Sequence, residues 1–75
     1  MNTETELLLC AAARLYSIGI EVDAARERVR NMAVSGVSPN SRRFRQAMRE
    51  SRELDAQWKM LEAQYLAERN KMLSE

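Results

Sequence analysis

Histidine is absent from this 75-residue chain, and cysteine occurs once, at Cys10. The first absence removes the usual acid–base group of neutral-pH catalysis and the usual nitrogen ligand of zinc. The second rules out a disulfide within the chain. Proline occurs once and glycine twice, so the strong breakers of regular structure are confined to a few places. Aromatic residues make up only 5% of the chain: Tyr16, Phe44, Trp58 and Tyr65. Long apolar runs are missing too. The stretch Leu7 to Ala13 has seven residues, where about 20 are needed to span a bilayer. Acids, not a basic region, precede it, so no secretory signal is expected. Neither sign of charge is in excess: twelve cations and eleven acids give +1. That balance offers no general attraction to nucleic acid or anionic lipid. A lone cysteine without a signal points to a reducing, cytoplasmic setting, with no membrane partner, cofactor or metal.

The residues that are present repeat. Leu8, Ala11, Leu15, Ile18, Val22, Ala25, Val29 and Met32 step by alternating threes and fours. Phe44, Ala47, Ser51, Leu54, Trp58, Leu61, Tyr65, Glu68 and Met72 do the same. Such spacing places each set along one face of a helix. Between the ladders lies Ser35-Gly36-Val37-Ser38-Pro39-Asn40. The pattern predicts an all-α fold, an antiparallel, coiled-coil-like two-helix hairpin forming one domain over residues 1–75. The helices are expected over about 3–34 and 41–73, with the turn over 35–40.

Local chemistry agrees with these limits. Thr3 with Glu6 three residues on has capping-box spacing. Glu4 and Glu6 suit the positive end of a helix dipole. Gly36 is placed to stop the first helix, and Pro39 cannot continue it. Asn40 or Ser41 can cap the second. A different arrangement is also open. Gly19 sits among Ile18, Ile20 and Val22, all poor in a helix interior. Asp23 can cap a fresh helix there, giving three helices over about 4–17, 23–34 and 40–73. The apolar register runs through this stretch without a slip, which favours one continuous helix.

Two helices of about 32 residues, each roughly 48 Å long, cover each other's seams from one side only. Phe44, Leu54, Trp58, Leu61 and Tyr65 are therefore expected to need a further surface. A second copy forming a four-helix bundle would supply it, and so would a helix of another protein. Met32, Met48, Met60 and Met72 lie on or beside the seams, where their flexibility suits irregular packing. Cys10 reads as a small packing residue off the seam.

Arginine is distributed unevenly. Arg42, Arg45, Arg49 and Arg52 point about 160° away from the second seam at 100° per residue, with Lys59 continuing the step. They form a candidate anion-binding ridge. Glu53, four residues after Arg49, is placed to pair with it. Arg26, Arg28 and Arg30 approach the end of the first helix, where positive charge complements the dipole. From Arg26 to Glu53 there are eight arginines against three glutamates, a net of +5. The remaining four cations and eight acids leave −4 elsewhere. The aromatic residues that would stack on bases are expected to be used in the seam, which counts against single-strand nucleic-acid binding.

The run Ser51-Arg52-Glu53-Leu54-Asp55 resembles the Ser-Gln-Glu-Leu-Asp motif of the small sporulation-regulating aspartyl-phosphate phosphatases. Those proteins are helical hairpins of similar size. Gly36-Val37-Ser38 is similar to the family's turn, and Ile20-Glu21 with downstream arginines to its first helix. The resemblance spans at most residues 20–65. Arg52 stands where the family has glutamine, and Tyr65 falls later than the family's tyrosine. The resemblance implies that Ser51, Glu53 and Asp55 face a response-regulator receiver domain and help water attack its phosphorylated aspartate. Taken from its residues alone, the chain is expected to be a non-enzymatic interaction module. Small bacterial and phage adaptors take this shape.

Overall fold

The structure, a computed structural model, describes residues 3–74. Two helices of 32 residues each, α1 (Thr3–Val34) and α2 (Arg42–Leu73), lie side by side as an antiparallel hairpin. The molecule measures 53 × 16 × 14 Å, the outline of two paired rods. Neither helix is long and apolar enough to cross a membrane.

α1 is unbroken through Gly19, so the three-helix arrangement does not occur. Packing offsets the poor local propensity there. A Cβ built on Gly19 would lie 3.5 Å from Trp58 Nε1, so the bare backbone faces the indole across the seam. Thr3 is the first helical residue rather than a cap outside the helix, and the residue before it lies outside the described range.

The turn is built by three local devices. Gly36 has φ 81°, a conformation that a side chain disfavours. Its N–H donates to Ala33 O at 3.2 Å, and Val37 N–H donates to Met32 O at 2.9 Å. This is a Schellman ending, which satisfies two otherwise orphaned carbonyls. Pro39 then sits second in the turn that Ser41 N–H closes by donating to Ser38 O at 3.0 Å. Ser41, not Asn40, caps α2: its hydroxyl accepts from Phe44 N–H at 3.2 Å. Asn40 N–H instead donates to the Ser38 hydroxyl at 3.2 Å.

The seam follows both ladders but encloses little. Val22, Ala25 and Ala47 are buried, and no side chain among the described residues is completely enclosed. The other ladder residues are half-buried, including Phe44, Leu54, Trp58, Leu61 and Tyr65. Met32, Met48 and Met72 are half-buried, while Met60 is exposed. Cys10 is exposed and therefore not the packing residue expected. The accessible surface is 5839 Å². A compact monomer of 8.7 kDa would expose about 4,700 Å². The hairpin thus carries roughly 1,100 Å² more surface than its mass requires.

Candidate functional site

Two surfaces stand out, an apolar flank and a basic ridge. The flank arises because α1 is apolar on more than its seam. Leu9, Ala13, Tyr16 and Ile20 repeat at helical spacing on a second stripe. Leu9 is 54% exposed, Tyr16 74% and Ile20 55%. Beside this stripe, where the two helices meet, runs a groove of about 470 Å³. Ala12, Leu15 and Gly19 line it from α1 and Trp58 and Tyr65 from α2, with Tyr16 and Ile20 of the stripe forming its outer wall. Asp23 closes its end towards the turn. Of the sequence-predicted contact residues, Trp58 and Tyr65 open onto this groove. Phe44, Leu54 and Leu61 lie half-buried along the seam.

Ion pairs tie the helices together nearer the turn. Arg26 Nη2 donates to Asp55 Oδ1 at 2.8 Å, and Lys59 Nζ approaches Asp55 Oδ2 at 3.3 Å. Arg28 Nη1 donates to Glu50 Oε2 at 3.0 Å, and Arg30 to Glu27 at 3.0 Å. The last turn of α1 contains no basic residue. Arg26, Arg28 and Arg30 are therefore explained by these carboxylates rather than by the dipole. All the pairs are partly solvated and each contributes at most about 1 kcal/mol. The main effect of the two that join the helices, Arg26–Asp55 and Arg28–Glu50, is to favour this register of α1 on α2.

The ridge differs. Arg42, Arg45, Arg49 and Arg52 are exposed on the back of α2, as their spacing predicts. Arg42, Arg45, Gln46 and Arg49 line a shallow cleft of about 460 Å³. Among the described residues none of these four arginines has an ion pair. Glu53 does not pair with Arg49. The first turn of α2 holds no acid either, so its arginines oppose the positive end of the helix dipole.

Ser51, Glu53 and Asp55 do not gather into one open face. Ser51 and Asp55 are half-buried on the side turned towards α1. Asp55 is engaged by Arg26 and Lys59. Glu53 is exposed, about 160° around the helix from Asp55. No protein-family model, curated protein or solved structure matches the chain.

Sequence reasoning missed the second stripe on α1 and the ion pairs between helices. The stripe is hidden in part by the apolar run Leu7 to Ala13. The pairs become legible once the chain is folded between residues 39 and 40, which sets Arg26 within a turn of Asp55 and Arg28 next to Glu50.

Proposed function

We propose that the chain is a non-enzymatic helical-hairpin interaction module that completes its core by self-association into a four-helix bundle. One observation carries this reading: the hairpin leaves Trp58 and Tyr65 half-buried beside an apolar groove while no side chain among the described residues is completely enclosed. The roughly 1,100 Å² of surplus surface is comparable to the ~800 Å² each partner buries in a standard interface. The test is thermal unfolding at several protein concentrations. Association with itself makes the midpoint rise with concentration. A midpoint that stays fixed over a hundredfold range contradicts the reading.

A second reading concerns the ridge. Four exposed arginines on one ridge, without ion pairs among the described residues, whereas Arg26, Arg28 and Arg30 are paired, suit a phosphate-bearing partner. Duplex nucleic acid is the simplest probe. Neutralising four phosphates makes the logarithm of affinity fall with the logarithm of salt at a slope of about −3.6. Absence of binding at low salt removes this reading and leaves the first untouched.

A further inference from the structure

We infer that the second copy lies antiparallel to the first, turn end against open end, with the Tyr16–Ile20 stripe of each copy seated in the other's groove over Gly19 and Trp58. This rests on the self-association reading and specifies its surface and orientation.

The surface follows from the difference between the two sides of the hairpin. The side containing the groove also exposes Leu9, Tyr16 and Ile20. The opposite side carries Arg28, Arg43, Gln46 and Glu50 around Met32 and Ala47, with Arg28 and Glu50 ion-paired across it. The groove side carries the Arg26–Asp55 pair nearer the turn, but its groove is apolar apart from Asp23 and the tyrosine hydroxyls. It also places a projection, Tyr16, directly beside a recess, the bare backbone of Gly19 against the indole. A projection next to a recess on one surface is self-complementary. A two-fold axis between two such surfaces fills both recesses at once.

The orientation follows from position and charge. The groove's α1 lining runs from Ala12 to Asp23, near the middle of a helix spanning Thr3–Val34. A two-fold axis through mid-length, perpendicular to the rods, overlaps two antiparallel hairpins over most of their length. A parallel pair brings the +5 turn ends together, and like charges so placed repel. The antiparallel pair sets each turn end beside the other copy's open end, where Glu4 and Glu6 begin α1.

The test uses the full chain with its only cysteine replaced, Cys10→Ser, and a spin label at Val34→Cys. Val34 is 82% exposed at the turn end of α1. The inference predicts a label-to-label distance of about 45–55 Å, set by 1.5 Å per residue on both sides of the axis. A distance of roughly 20 Å or less, two interaxial spacings, means a parallel pair. That result overturns the orientation and leaves self-association standing. Absence of any dipolar coupling, with a monomeric mass, overturns both. The surface is tested separately by Tyr16→Glu, which should weaken association by roughly tenfold or more. Leu7→Glu, a 52% exposed position on the other side of α1, should change it by no more than about threefold. Equal effects of the two substitutions, with helix content retained, overturn the assigned surface.

Discussion

Gly36 is the one position among the described residues where the hairpin depends on a backbone that other residues resist. Its φ is 81°, and a Cβ there would meet nothing within 4 Å. Gly36→Ala should therefore cost only the conformational penalty, about 1–2 kcal/mol, measurable as a lower urea midpoint. Ser41→Ala removes the cap on Phe44 N–H and should cost about 1 kcal/mol. Asn40→Ala should cost much less, since the Asn40 side chain does not cap α2. The turn was legible because its chemistry is local: one glycine can turn left-handed, and one proline lacks an N–H. The choice between Asn40 and Ser41 was not. Both are good caps by residue type, and only the fold shows that Ser41 takes the extended cap conformation, φ −71° and ψ 152°, with its hydroxyl on Phe44 N–H.

Each helix is held mainly by its apolar face. Trp58→Ala and Leu61→Ala should each destabilise by about 2–4 kcal/mol in chemical denaturation, as large-to-small changes in partly buried sites do. The Arg28–Glu50 pair is solvated on both sides. A double-mutant cycle on it should give under about 1 kcal/mol. The ladders were readable because a period of 3.6 leaves few alternatives once eight or nine positions agree. Gly19 was ambiguous because propensity argues for a break there. Contact with Trp58 across the seam overrides that, and no single-helix argument contains it. The second stripe on α1 was obscured by Leu7 to Ala13, where consecutive apolar residues fit several registers.

For the whole molecule, shape and surface dominate. A rod 53 Å long and 16 Å wide has too little interior to enclose its aromatic residues. Small chains without disulfide or metal commonly solve this by association. The ridge adds a separate expectation. Replacing Arg45 and Arg49 with alanine should not lower stability, because neither has an ion pair among the described residues and Arg45, in the first turn of α2, opposes the dipole. A thermal midpoint equal to or above that of the native chain agrees with this; a clear fall does not. The most direct measurement of the central claim is sedimentation equilibrium from about 1 to 200 μM, a range that covers the affinities of many weak homodimers. The account predicts a mass rising to twice 8.7 kDa. A mass of 8.7 kDa at every concentration would contradict it.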